Sequence, residues 1–265
     1  MNKSRVASPR ARKQQEPIAA AKKSASKKST SKKSTSKNKK SVDGSETGST
    51  TAPPTIAPHH LAHLAQSGIT PATASAAGII TIDDPEEARR LLRWQPGGAP
   101  PQVPGLWFPY NETYGRYRPD NPRVVDGQPA KYEGPYGTPS RIYMPRALCP
   151  TIDDPNSELW ILEGEKKALA HTQAGFTTVG IAGVWQLNDP VRRKAAKEKG
   201  EDELILHDDL KSVITPGRSV TLLFDADVDA NLDIVLALAR AVKLLTEAGA
   251  NVYVSYIPHV EELPK

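Results

Sequence analysis

Two short apolar runs, each ending abruptly in acid, constrain this chain more than any other feature. Leu159-Trp-Ile-Leu leads into Glu163-Gly-Glu-Lys-Lys-Ala-Leu-Ala, and Val220-Thr-Leu-Leu-Phe leads into Asp225-Ala-Asp227-Val-Asp229. Each reads as a buried strand that delivers carboxylates to its C-terminal end, with a helix-like pattern following. In an open α/β sheet, ligands bind at that edge. If the two strands are neighbours, Glu163 converges with Asp225 and Asp227, and crowded carboxylates repel unless a cation sits between them. An all-oxygen donor set suits Mg²⁺ or Mn²⁺ rather than zinc.

The surrounding pattern fits such a sheet. A strand over 159–162 is followed by a helix from Glu165 to Ala174 closed by Gly175, and a strand over Thr177–Ala182 ends at Gly183. A variable, charged region over 188–203 precedes a helix near 203–214. Strand 219–224 follows Pro216-Gly217, a long amphipathic helix spans Leu232–Ala248, and a last strand spans Val252–Ile257. Four strands joined by crossovers predict a compact, mostly parallel α/β sheet with helices on both faces. Asp229 reads either as a further metal ligand or as the N-cap of the helix beginning near Leu232.

Upstream, the composition changes twice. Residues 1–40 carry 14 Lys/Arg against one Glu, a net of +13, so a chain of formal charge +5 leaves −8 for residues 41–265. Residues 1–58 lack the apolar side chains to offset their ordering entropy and read as a disordered tail. It is either a polycation for nucleic-acid phosphates or a solubilising extension. Residues 59–150 read as a helical lead-in followed by Gly- and Pro-broken β-hairpins, ahead of an α/β domain over 151–265. The lead-in holds His59, His60 and His63, which have no Cys or acid at ligand spacing and are expected at a solvated helix end. The hairpin region interleaves Arg116, Arg118, Arg123, Lys131 and Arg141 with Tyr114, Tyr117, Tyr132 and Tyr136. Basic groups among aromatics suit single-stranded nucleic acid, and equally suit a small β core with arginines on its wet face.

Other classes lose their anchors. One cysteine, Cys149, excludes an internal disulfide framework and a cysteine-only zinc site, as expected of a cytoplasmic protein. No apolar run approaches the length of a membrane span. Gly-x-Gly-x-x-Gly, Gly-x-x-x-x-Gly-Lys and Gly-x-Ser-x-Gly are all missing, which removes the usual signs of dinucleotide, P-loop and acyl-transfer sites.

A lone Glu in Glu163-Gly after the first strand, Gly180-Ile-Ala-Gly-Val-Trp185 between, and Asp225-Ala-Asp227 after the third strand resemble, in that order, the Toprim domain of bacterial primases, topoisomerases and some nucleases. The resemblance is greatest to primase-like Toprim proteins of plasmids, phages and integrated mobile elements, and covers about residues 60–260. It implies that Glu163 is a general acid/base or metal-organising carboxylate and that Asp225 and Asp227 hold Mg²⁺. It also implies DNA, in single-stranded form, as partner, with Lys166 and Lys167 on phosphate and a separate helicase or polymerase beside it. The implied function is Mg²⁺-dependent primase-like nucleotidyl or phosphoryl transfer in DNA replication. A non-catalytic single-stranded nucleic-acid-binding accessory and a Toprim nuclease are the alternatives. A primase zinc module cannot be built with one cysteine.

Overall fold

The computed structural model describes residues 55–95, 100–125, 127–183, 185–200, 204–224 and 232–256. The basic stretch read as a disordered tail lies outside them up to residue 54. Thr55–Ala57, assigned to that tail by composition, lie against the first strand: Thr81 N–H donates to the Thr55 carbonyl at 3.1 Å, and Ala57 N–H donates to Thr81 Oγ1 at 2.8 Å.

Three short helices open the described chain: α1 (Pro58–Ala65), α2 (Pro71–Ala76) and α3 (Pro85–Leu92). Each has Pro in its first turn, and the side chains of Thr70 and Asp84 cap α2 and α3. Proline costs nothing there because that N–H has no helical partner anyway. Between α2 and α3 runs a strand missing from the sequence reading, β1 (Ile80–Ile82), which pairs antiparallel with β2 (Gly105–Pro109). β2 in turn pairs with β3 (Gly115–Pro119), giving a three-stranded sheet, and β4 (Val124–Val125) and β5 (Gln128–Pro129) form a minimal hairpin.

Gly115 lies opposite Pro109 at the closed end of the β2–β3 hairpin. A Cβ there would sit 2.4 Å from the Trp107 ring and 2.6 Å from the Phe108 carbonyl, so neither a rotamer change nor a small shift relieves it. Gly115→Ala is therefore expected to cost about 1–3 kcal/mol, as overpacking does. Urea melts would show it as a lower midpoint with an unchanged slope.

The second sheet is wholly parallel, with spatial order β7-β6-β8-β9. Its strands are β6 (Leu159–Glu163), β7 (Thr178–Ile181), β8 (Ser219–Phe224) and β9 (Asn251–Tyr256), connected through α4 (Glu165–Gln173), α5 (Pro190–Glu198), α6 (Asp208–Lys211) and α7 (Leu232–Glu247). On one face Leu159, Ile161, Val179, Ile181, Val220 and Leu222 pack with Leu238, Leu244 and Leu245 of α7. On the other, Gly180 lies within 3.1 Å of Ala168 of α4, as judged from a Cβ placed on the glycine. The outer side of α4 then joins Leu64, Ile69, Leu106 and Phe108 in one apolar cluster, which seats the helical lead-in and β2 on the back of α4.

Two elements differ from expectation. The variable, charged region at 188–203, for which the sequence pattern predicts no element, contains α5, started by Asp189, whose carboxylate accepts from the Val191 and Arg192 N–H groups. The helix expected near 203–214 is only the single turn α6. Arg218 is fully buried just ahead of β8 and donates to the carbonyls of Ser157, Ile152 and Val213 at 2.7 to 2.9 Å, pinning the loop before β6 to the start of β8.

Candidate functional site

β6 and β8 are adjacent and parallel, with Leu162 opposite Leu223. The last residue of β6 is Glu163 and the last of β8 is Phe224, so both strands end at the same rim of the sheet. Glu163 is exposed there. The three acids that follow Phe224 in the sequence, Asp225, Asp227 and Asp229, lie outside the described residues. Gly164 carries the chain from β6 into α4 with φ of 90°, a backbone that a side chain would strain.

Two residues on, the structure places a group that sequence reasoning did not single out. Glu165 opens α4, yet it is 1% exposed. Its Oε1 accepts from Arg116 Nη1 of β3 at 2.8 Å and from the Tyr110 hydroxyl at 2.7 Å, while Oε2 has no hydrogen-bond partner among the described residues. Arg116 also stacks over the Tyr132 ring, 4.5 Å from its centroid. Burial and the Glu165 carboxylate push the Tyr110 and Tyr143 hydroxyls well above the ordinary tyrosine range and raise Tyr132 to about 12. The Glu165 repeat in Glu163-Gly-Glu was visible in the sequence, but nothing there told the exposed acid from the buried one.

Beside this pair lies a cationic corner assembled from three elements. Lys166 of α4 donates to His63 Nε2 of α1 at 3.2 Å, and Arg118 of β3 is close to both. Burial and the neighbouring Arg118 charge lower the Lys166 pKa, and burial with Lys166 and Arg118 lowers that of His63. Lys167 is exposed.

The other predicted nucleic-acid contacts are divided. Arg123 pairs with the buried Glu133 at 3.0 Å and lies over Trp94, and Arg141 pairs with Asp209 at 2.7 Å. Lys131 is exposed. Tyr117 is a core side chain, 1% exposed, whose hydroxyl donates to the Gln102 carbonyl, so it offers no face for a base. Tyr132 and Arg123 do reach a groove of about 500 Å³, shared with Trp94, Glu133 and the exposed Tyr136.

The histidines correct a reading. His60 is not at a solvated end: it is 1% exposed, with Nε2 bonded to Asp120 Oδ1 at 2.8 Å and Nδ1 to Thr81 Oγ1 at 2.7 Å. The acid absent from local spacing arrives from β3's far end, 60 positions away.

With this geometry in hand, known proteins become informative. The family described as a domain of unknown function (DUF3854) matches residues 150–262, the part that holds β6 to β9. No curated protein matches the chain. Among solved structures, that of the DnaG catalytic core matches with a TM-score of 0.50 at 14% identity, over 78% of this chain and 66% of that one. The fold is a primase-like Toprim fold. The zinc-binding and RNA polymerase domains of Aquifex aeolicus primase align over 76% of this chain and 50% of theirs, at 15% identity and a TM-score of 0.49. A primase domain from Pseudomonas aeruginosa aligns at 16% identity and a TM-score of 0.47, over 76% and 64%. The chain thus spans half to two thirds of the length of these structures. No helix among the described residues is long and apolar enough to cross a membrane.

Proposed function

We propose that this chain is a Toprim protein of DNA replication that carries out primase-like nucleotidyl or phosphoryl transfer with Mg²⁺ or Mn²⁺. The observation that carries the reading is the shared rim: Glu163 closes β6 beside the end of β8, whose next residue is Asp225. The donor chemistry fits a hard divalent ion, since Glu163 is exposed at that rim and the acids after β8 add only carboxylate oxygens. Glu163, Asp225 and Asp227 would hold the ion, with Asp229 either a further ligand or the cap of α7. When bound, such an ion offsets the charge on phosphate oxygens during transfer.

The chain's own groups supply the rest. Glu163 accepts a proton from an attacking hydroxyl or orients the ion. Burial and the neighbouring Arg118 disfavour the Lys166 charge, so an anionic phosphate placed between or beside the two side chains is favoured there. The groove of Trp94, Arg123, Tyr132 and Tyr136 offers aromatic faces and a cation to a single strand. This same groove favours a second reading, in which the protein binds single-stranded DNA for a separate helicase or polymerase without catalysis. The mobile-element setting rests on the motif resemblance, as does the nuclease alternative.

Primer extension and cutting of single-stranded DNA by the full chain, with Mg²⁺ or Mn²⁺ and nucleotides, tests the choice. Asp225→Asn with Asp227→Asn is expected to lower the rate at least about a hundredfold while retaining DNA binding, and Glu163→Gln to lower it about 10²–10⁴-fold. Activity in the double variant equal to the parent's would sink catalysis at this rim.

A further inference from the structure

A second cluster, on α1 rather than on the parallel sheet, has the makings of a transition-metal site. His59 Nε2 lies 3.1 Å from Asp120 Oδ2 and His60 Nε2 lies 2.8 Å from Asp120 Oδ1. With one ligand atom taken from each residue, the three fall within 4.8 Å of one another. A tetrahedral zinc with bonds of 2.0–2.2 Å separates its ligand atoms by about 3.3 Å. The two His–Asp separations, one to each carboxylate oxygen, are a few tenths of an ångström shorter than that, and the remaining separation is within 4.8 Å. The exposed His59 ring and the Asp120 carboxylate are the two groups that would rotate to admit an ion.

Two more features distinguish the arrangement from a chance surface contact. The ring of His60 is oriented from behind, because its Nδ1 meets Thr81 Oγ1 at 2.7 Å and that oxygen is itself fixed by the Ala57 N–H at 2.8 Å. Metal-bound imidazoles have such a partner on the second nitrogen, and it sets which nitrogen is free to ligate. The ligands are also graded in exposure, with His60 buried at 1%, Asp120 at 28% and His59 at 55%, so an ion could enter from solvent and keep a water or substrate atom as fourth ligand.

We propose that His59, His60 and Asp120 bind a divalent transition metal, Zn²⁺ by preference, at a site separate from the carboxylate rim after β6 and β8. Nitrogen ligands favour zinc, cobalt or nickel over magnesium. The ion ties the first turn of α1 to the end of β3, the two elements that also supply His63 and Arg118 to the cationic corner.

The test uses the full chain stripped with chelator and titrated with Co²⁺, followed by its visible absorption and then by displacement with Zn²⁺. One saturating equivalent is expected. His59→Ala and Asp120→Asn are each expected to weaken it at least about tenfold, and His59 is exposed enough for its removal to leave the fold intact. Asp225→Asn with Asp227→Asn should leave Co²⁺ binding as in the parent, which separates this site from the rim even if catalysis there fails. Absence of saturable Co²⁺ binding overturns the proposal. So does binding that survives His59→Ala and Asp120→Asn, which would place the ion on other ligands.

Discussion

Glu165→Ala is expected to be among the most damaging single changes in this chain, lowering stability by about 3–5 kcal/mol. The expectation comes from what it leaves behind. Arg116 is 16% exposed, held under Tyr132 and against Glu165, and burial of a guanidinium without its counter-charge costs far more than the pair contributes when intact. In a domain of this size each kcal/mol moves the melting temperature by roughly 2–4 °C, so a fall on the order of 10 °C should be visible in thermal melts. Arg116→Ala should be comparably harmful, since it leaves a carboxylate buried at 1% with the Tyr110 hydroxyl as its remaining donor among the described residues. Glu165→Leu combined with Arg116→Met removes both charges together and is expected to recover much of the loss. A single variant within about 0.5 kcal/mol of the parent would show that water or relaxation screens the pair.

This pair also bears on the carboxylate rim. Glu163 and Glu165 flank Gly164, and the first turn of α4 is held by a side chain from β3 of the other sheet. Fixing Glu165 fixes where α4 begins and limits how Glu163 can swing. Glu165→Ala is thus a positioning change as well as a stability one, whereas Glu163→Gln should leave the melting temperature nearly unchanged because Glu163 is exposed.

How far the sequence foretold this arrangement follows from the range of each interaction. The parallel sheet was legible because strands buried on both faces read as continuous apolar runs, and Leu159–Glu163 and Ser219–Phe224 emerged nearly as expected. Helix α5 has the same Asp-Pro start as α3, but its charged body carries little of the apolar periodicity that marks a helix. β1, only three residues long, is set by pairing with Leu106 and Trp107 and has little local signal of its own. The rim was legible to the extent that strand ends are. The Arg116–Glu165 pair spans 49 positions and the His60–Asp120 bond spans 60, and no local pattern announces either. For the same reason alternating Arg and Tyr in β3 looked like an interface. Strand alternation buries Tyr117 and turns Arg116 inward to Glu165 because a second layer lies over that face.

That second layer makes the protein vulnerable to alkali, and cooperative unfolding is expected between about pH 10 and 12. Burial raises the hydroxyls of Tyr110, Tyr114, Tyr117, Tyr132 and Tyr143, with the Glu165 carboxylate adding to the effect at Tyr110, Tyr132 and Tyr143, and Asp120 and Glu133 at Tyr117. In the unfolded chain these groups ionise near pH 10, while in the folded protein they hold their protons to higher pH. Below pH 10 both states are protonated and the stability is fully present. Above it the unfolded state binds fewer protons, and each retained tyrosine proton costs the folded state about 1.4 kcal/mol per pH unit. Several acting together reach the 5–15 kcal/mol stability of an ordinary domain within about two units. Tyrosinate absorbance near 295 nm should therefore rise steeply and together with loss of far-ultraviolet ellipticity. Tyr143→Phe, which removes one such proton from a site 1% exposed, should shift the transition to higher pH. A smooth rise centred on pH 10 with the helical signal intact would mean that these hydroxyls reach solvent and that the two layers are not closed over them.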